Sequence, residues 1–208
     1  MKKVKNTKTL VLMSVLIAIQ IILNFTPLGL IPLGFMNATT LHIPVIIGAI
    51  FMGPVVGGIL GGVFGILSII TNTIRPNVTS FVFSPFITVG DISGNPMSLV
   101  VALVPRILIG ITAYYAFRWL SKLDKRKVIA YVGAGIVGSL TNTIFVMGGI
   151  YLFFGKAYAM AKEVDFSALF GVIMGVVGIQ GIPEAIVAGV LVLGIGKVLG
   201  KVFFRNRI

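Results

Sequence analysis

Ionisable side chains are scarce inside the apolar runs of this sequence, and those that occur there could bind a charged ligand. Arg106 lies in the run LVPRILIG, and Glu184 lies in GIPEAIVA. A charge near the centre of a bilayer costs a few kcal/mol, so such a side chain normally faces protein or a ligand. A buried guanidinium binds carboxylates through paired hydrogen bonds. The two residues therefore indicate a site for an anion.

Small residues at helical spacing indicate which way these side chains face. Arg106 shares a stripe with Ser98, Ala102, Gly110 and Ala113. Stripes of this kind are typical of a face packed on other helices. Comparable stripes carry further polar residues: Asn72, Asn142, Glu184 and Gln180. We predict that these side chains converge on one polar pocket.

The segments between the apolar runs add four candidates to this pocket: His42, Arg75, Phe83 and Asn95. Asn95 and Pro96 also form a favourable start for a helix, and helix starts favour anions. Structural roles stay open for several candidates. They are an ion pair of Arg106 with Glu184, dipole stabilisation of Glu184, interhelical hydrogen bonds of Asn72 and Asn142, and interfacial positions for His42 and Phe83.

The elements that position these residues are membrane helices. Of 208 residues, 57% are hydrophobic and 11% are charged, and the mean hydropathy is +1.10. This profile is that of an integral membrane protein, and we expect one membrane domain over residues 1–208. The sequence has no cysteine, one histidine and five carboxylates. We therefore predict no catalytic residues, no metal site and no cofactor, and we find no P-loop.

The net charge of +12 is concentrated beside the apolar runs. The basic clusters fall within residues 2–8, 118–127 and 197–207. This placement follows the positive-inside rule, so both termini are predicted to be cytoplasmic. The charge indicates topology and contact with the lipid bilayer, and we expect no nucleic-acid partner.

Threading the chain under this rule predicts an all-α protein with six transmembrane helices. Five cover about residues 9–26, 42–52, 55–73, 96–117 and 128–152, and the sixth begins near Pro183. Long outer loops are predicted at 27–41, 74–95 and 153–165. Residues 166–204 are too long for one span of about 20 residues. We therefore predict a re-entrant or protein-buried segment over residues 166–180, before the sixth helix, and an extension of that helix stays open as the alternative.

Several blocks of the sequence resemble a known family of vitamin transporters. These blocks are NATTLHIPVIIGAIFMGP, TSFVFSPF, GNP with LVPRILIG, and GIPEAIVA. Through them the chain resembles the substrate-specific S component of energy-coupling factor (ECF) transporters, of the pantothenate type. The resemblance implies a bacterial plasma-membrane protein, not an enzyme, that binds a vitamin. It also implies a membrane T component and two ATPase subunits as partners. Ser14 and Ala18 match the family's A-x-x-x-A contact motif, with serine in place of the first alanine.

The identity of the vitamin follows less directly from these residues. Pantothenate carries a carboxylate, hydroxyl groups and an amide, and Arg106 with amide side chains suits these groups. Pyridoxine or hydroxymethylpyrimidine would instead stack on Phe83 or Tyr151. Another vitamin thus stays open as an alternative, and so does a stand-alone carrier or channel.

Overall fold

The computed structural model describes residues 7–32 and 37–204. Its α-helices are α1 (Thr7–Phe25), α2 (His42–Met52), α3 (Pro54–Ile74), α4 (Met97–Leu120), α5 (Val128–Ala161), α6 (Leu169–Val176) and α7 (Ile182–Phe204). Two antiparallel hairpins are formed by β1 (Leu30–Pro32) with β2 (Asn37–Thr39), and by β3 (Thr88–Val89) with β4 (Ile92–Ser93).

The helices confirm the all-α membrane class. Within the described residues, five helical runs are long and apolar enough to cross a bilayer: α1, α3, α4, α5 and the run that contains α6 and α7. The apolar helix α2 has 11 residues, which is short for a span. Its residues from His42 to Ile50 are buried, so protein rather than lipid surrounds it. The count of six spans stays a prediction.

Glycines bring the backbones of α3 and α4 into contact. A Cβ atom on Gly61 would meet the carbonyl oxygen of Arg106, and one on Gly65 would lie 2.7 Å from the carbonyl oxygen of Ala102. The two helices therefore run antiparallel with almost no side chain between them. This contact fixes the part of α4 that carries Arg106.

The long helix α5 runs antiparallel to α6 and α7. A Cβ on Gly135 would lie 2.7 Å from the carbonyl oxygen of Ala188, and one on Gly155 would lie 2.9 Å from the Phe166 ring. With 34 residues, α5 is about 51 Å long, well beyond the bilayer core of about 30 Å. The predicted outer loop over 153–165 is therefore wrong for its first nine residues, which are helical up to Ala161.

The prediction of a re-entrant segment over residues 166–180 is also wrong. Helix α6 leads through a π turn, Val177–Gly181, directly into α7. Pro183 lacks the N–H that an α-helix would use there, and a local π turn accommodates that loss. The expectation of a buried segment holds for Leu169 and Ile173, whereas Phe170 and Met174 are exposed.

The helix directions gather the described basic residues of the three clusters at one end of the bundle. Tyr131, near the start of α5, contacts Gly196 near the end of α7. Gln20 and Asn24 of α1 bind α3 residues in the same order along the chain, so α1 and α3 are parallel. We call this the basic end, and the opposite end the far end. The cytoplasmic location of the basic end stays a prediction of the positive-inside rule.

Candidate functional site

Arg106 is buried in α4, as its small-residue stripe predicts, with 6% of its surface exposed. Its Nη1 donates a hydrogen bond to the Val101 carbonyl at 2.6 Å. Its Cζ lies 5.0 Å from the centre of the Phe83 ring and 5.6 Å from that of Phe64. Both distances allow cation–π attraction. The guanidinium thus lies close to two aromatic rings.

The charge of Arg106 is incompletely compensated by the described residues. Its Nε is buried and has no hydrogen-bond partner. No carboxylate oxygen of the described residues lies within 4.0 Å of its nitrogens. Glu184 is close enough to interact electrostatically, but not as a direct ion pair. The arrangement leaves donor capacity for a further anionic group.

Glu184 connects three elements near the start of α7. Its Oε1 accepts a hydrogen bond from the backbone N–H of Thr39 in β2 at 3.2 Å. The same oxygen lies 3.7 Å from Nδ1 of His42, the first residue of α2. Both ring nitrogens of His42 are buried without a hydrogen-bond partner. Since the helical run continues through the π turn, α7 has no free N-terminal end that would stabilise Glu184.

Helix α5 adds two polar side chains, Ser139 and Asn142. Ser139 Oγ and Asn142 Oδ1 are buried without hydrogen-bond partners. They lie on the α5 face that meets α2, α4 and α7, because Gly138 approaches Ile46 and Ala113 while Gly135 approaches Ala188. We call His42, Arg106, Ser139, Asn142 and Glu184 the polar centre. Buried polar atoms without partners are uncommon, and a bound ligand would satisfy them.

A segment between α3 and α4 covers this region from the far end. We call Thr79–Phe86 the lid. Ser80 Oγ donates to Asn72 Oδ1 at 2.7 Å, and Ser98 Oγ donates to the Phe81 carbonyl at 2.7 Å. The hydroxyls of Thr73 and Ser84 share a further bond of 2.7 Å. Hydrogen bonds thus tie the lid to the end of α3 and the start of α4.

The three aromatic residues of the lid have different environments. Phe81 is completely buried and packs edge-on against Phe154. Phe83 lies over Arg106. Phe86 is 75% exposed. The first two belong to the interior, whereas the exposure of Phe86 suits an interfacial residue.

Phe83 contacts the polar centre through Arg106, and four other candidates predicted from sequence do not join it. The Asn72 amide donates a hydrogen bond to the Ser68 carbonyl and accepts one from the Ser80 hydroxyl. Asn95 is exposed, and its side chain accepts the Met97 N–H at the start of α4, as expected of a cap. Arg75 directly follows α3 as its C-cap and is exposed. Gln180 is exposed in the π turn, so its predicted place on the stripe of Glu184 is wrong.

Sequence reasoning missed Thr39 and Phe64, and it listed Ser139 only as a small residue. Thr39 contributes its backbone N–H, which no residue type signals. Phe64 follows the glycines of α3, and its spacing from Gly57 and Gly61 could have placed it on the α4 face. Ser139 lies three residues before Asn142, a spacing that also could have indicated a shared face.

Ser14 and Ala18 are not part of this centre and lie on the exposed surface of α1. In the apolar stretch of α1 that is long enough to span the membrane, only 6% of the residues are buried. A separate groove of about 310 Å³ opens beside α1 and is lined by apolar residues of α1, α2 and α7. The outer face of α1 is therefore available to lipid or to another protein.

Together, these features define a class: an all-α membrane protein that holds a cation and several unpartnered polar atoms inside its helix bundle. The comparison with known families is more specific. The chain belongs to the family described as "ECF transporter, substrate-specific component", whose model matches residues 8–196. It is accordingly a multi-pass protein of the bacterial cell membrane, in a family of transporter components rather than enzymes.

Two curated relatives cover most of the chain. It is 37% identical over 183 residues to "Pantothenic acid transporter PanT" of Lactococcus lactis subsp. cremoris. The aligned region covers 88% of this chain and 84% of the relative. It is 30% identical over 203 residues to "Pantothenate transporter PanT" of Leuconostoc mesenteroides subsp. mesenteroides, which covers 93% and 92% of the two chains.

Proposed function

We propose that this chain is the pantothenate-binding S component of an ECF importer. The observation that carries the proposal is Arg106, a buried cation whose Nε has no partner among the described residues. A bound carboxylate would supply the missing partner. Two relatives that match nearly the whole chain bear the name of a pantothenate transporter, and pantothenate is a carboxylate.

In this proposal the ligand's carboxylate binds Arg106, with Phe83 over the guanidinium. The ligand's hydroxyl and amide groups bind the unpartnered atoms of His42, Ser139 and Asn142. Glu184 lies at the same centre and accepts hydrogen bonds. The low polarity around these groups makes each hydrogen bond selective, because an unmatched ligand leaves buried polar atoms unpaired.

The remaining candidates have supporting roles in this proposal. Asn72 holds the lid through Ser80, and Asn95 caps α4 near the same end. Arg75, exposed at the far end, adds positive charge at the entrance for an anion. We assign no contact with the vitamin to Gln180, because its side chain is exposed in the π turn.

The proposal includes the partners that power uptake. A membrane T component contacts the exposed face of α1 around Ser14 and Ala18, where small side chains allow another helix to approach. Two cytoplasmic ATPase subunits supply the energy. In this arrangement six spans place both termini and the basic end in the cytoplasm, and the far end with its lid faces outward.

The test is calorimetric titration of the detergent-purified chain with pantothenate. We expect tight binding of one vitamin per chain. Panthenol, in which an alcohol replaces the carboxylate, is the matched ligand control, and we expect it to bind at least about 100-fold more weakly. If pyridoxine or hydroxymethylpyrimidine gives binding heat and pantothenate does not, the chain is still an S component but its vitamin is not pantothenate.

A second measurement separates the S component from a stand-alone carrier. The chain alone in liposomes should bind pantothenate without accumulating it. Uptake without the ATPase subunits would contradict the proposed dependence on partners. The absence of binding to every vitamin tested, in a folded protein, would contradict the S component itself.

A further inference from the structure

The polar centre contains an acid, a base and a permanent cation within reach of one another. Glu184 Oε1 lies 3.7 Å from His42 Nδ1 and interacts electrostatically with Arg106. The other described elements packed around Glu184 bring no titratable side chain to it. β2 contributes the backbone N–H of Thr39. The buried unpartnered polar side chains of α5, Ser139 and Asn142, do not titrate. Any change of charge at this centre therefore falls on His42 and Glu184.

The charges of the unliganded centre balance without an added proton. Arg106 carries a positive charge at all accessible pH values. In this inference Glu184, which accepts a hydrogen bond from Thr39 and lies in the field of Arg106, supplies the matching negative charge. His42 is buried with both nitrogens unpartnered, an environment that suits the neutral ring. The formal sum is zero.

An anionic ligand disturbs this balance. Its carboxylate on Arg106 would place a second negative charge beside Glu184, with one guanidinium for the two. Two carboxylates that share a buried site do not both stay ionised, because their repulsion is poorly screened there. The centre must therefore bind a cation together with the anion, and the smallest available cation is a proton.

We propose that His42 and Glu184 form a proton-binding site, so that the vitamin carboxylate enters together with one proton from solution. This inference rests on the proposed function. The proton lies between His42 Nδ1 and Glu184 Oε1, and it converts a contact of 3.7 Å into a charge-assisted hydrogen bond. The two groups act as one site, so the proton belongs to the pair rather than to either residue. The charge of the occupied centre then returns to zero.

Calorimetry of the full chain tests this directly. Pantothenate is titrated at one pH in phosphate and in Tris, which differ strongly in enthalpy of ionisation. We expect the difference in observed heat to correspond to uptake of about one proton per vitamin bound. We also expect the affinity to fall by about tenfold per unit as the pH rises above neutrality. Binding of uncharged panthenol should take up no proton.

The variant Glu184→Gln keeps the shape of the side chain and cannot ionise. We expect its pantothenate binding to show no proton uptake and no dependence on pH over this range. Glu163→Gln, at an exposed glutamate beyond the end of α5, is the matched control and should behave as the unchanged chain does. If Glu184→Gln does not fold, the titration of the unchanged chain in the two buffers still shows whether a proton is taken up with pantothenate.

The outcomes separate the two proposals. Tight pantothenate binding without proton uptake overturns the proton site and leaves the proposed function intact. Proton uptake that persists in folded Glu184→Gln overturns the assignment to this pair. If pantothenate does not bind to the folded chain, the proposed function fails, and the proton site fails with it.

Discussion

Helices α3 and α4 pack closely against each other and are nearly half buried, whereas α1 is mostly exposed and has few contacts. In α3 and α4, 44% of the residues in the membrane-spanning window are buried, whereas in α1 only 6% are. Glycines place the α3 backbone directly on the α4 backbone. α1 is tied to α3 by two side-chain hydrogen bonds, from Gln20 to the Leu60 carbonyl at 3.3 Å and from Asn24 to Thr71 at 2.8 Å.

The difference matches what each region has to do. A buried guanidinium is useful for recognition only if its position is fixed, and backbone contact between glycine-rich helices fixes it. α1 instead turns most of its surface outward, including Ser14 and Ala18. A rigid region thus holds the polar centre, and a lightly attached helix presents a face to the surroundings.

The largest expected effect comes from separating α3 and α4. In Gly61→Val, the new Cβ would meet the Arg106 carbonyl oxygen and carbon, which cannot move without moving the helix. We expect loss of the folded protein, because the clash lies between backbones. The measurement is size-exclusion chromatography and thermal unfolding in detergent. Gly58→Val is the control, since its nearest neighbour is an Ile107 methyl at 3.8 Å. Equal behaviour of the two variants would contradict the rigid contact.

The next largest effect is expected at the cation itself. We expect Arg106→Gln to stay folded and to weaken pantothenate binding by about 100-fold or more, or about 3 kcal/mol, because the charge-assisted bond is lost. Calorimetry provides the measurement. Arg118→Gln removes an exposed arginine of the same helix and should leave affinity unchanged. Unchanged affinity in folded Arg106→Gln would assign Arg106 a structural role only.

A smaller effect is expected at the hydrogen bonds that hold the lid. Ser98→Ala removes the bond to the Phe81 carbonyl and leaves that buried acceptor unpaired. We expect a loss of about 1–3 kcal/mol in the free energy of unfolding, seen as a lower Tm. Ser93→Ala removes a bond between exposed side chains and is the control. Equal Tm values would show that the lid does not depend on this bond.

At α1 we expect no effect on the isolated chain. Ser14→Leu with Ala18→Leu changes exposed positions, so Tm and pantothenate affinity should stay the same. Co-purification with the T component should be lost, because the larger side chains block close approach of a helix. Gly148→Leu, which meets open space on α5, is the control. Normal assembly of the double variant would place the contact elsewhere.

A small change in Tm is expected at the basic end. Asp124 accepts the N–H groups of Ile129 at 2.9 Å and Arg126 at 2.8 Å, which lower the pKa of its carboxyl below the usual value. A lowered pKa stabilises the fold above the ordinary pKa and loses that effect as the pH falls through the lowered one. The chain and Asp124→Asn should therefore differ slightly in Tm near neutrality and converge in acid. Asp91→Asn, at an exposed turn, serves as the control.

Local patterns in the sequence predicted the bundle well. The apolar run at 42–52 is α2 to the residue, and α1, α3 and α4 begin and end within three residues of expectation. The inward face of Arg106 is confirmed, because Ser98, Ala102, Gly110 and Ala113 are buried with it. These features depend on composition and helical spacing, which a single sequence displays.

The rest depended on contacts between distant segments. The continuation of α5 past residue 152 is supported by Phe166, which packs against Gly155 and is distant from it in sequence. The role of Thr39 lies in its backbone N–H and requires the β1–β2 hairpin to be known. Gln180 was misplaced because ordinary helical spacing does not apply across a π turn.

The number of residues in that π turn decides which way the side chains of α7 face. A π turn holds one residue more than an α turn, and each residue of a helix turns the following face by about 100°. Removal of one residue from Val177–Gly181 would restore ordinary α spacing and rotate Glu184 away from His42 and Thr39. The segment should therefore tolerate many substitutions but no single-residue deletion, since the phase between α6 and α7 decides which side chain faces the polar centre.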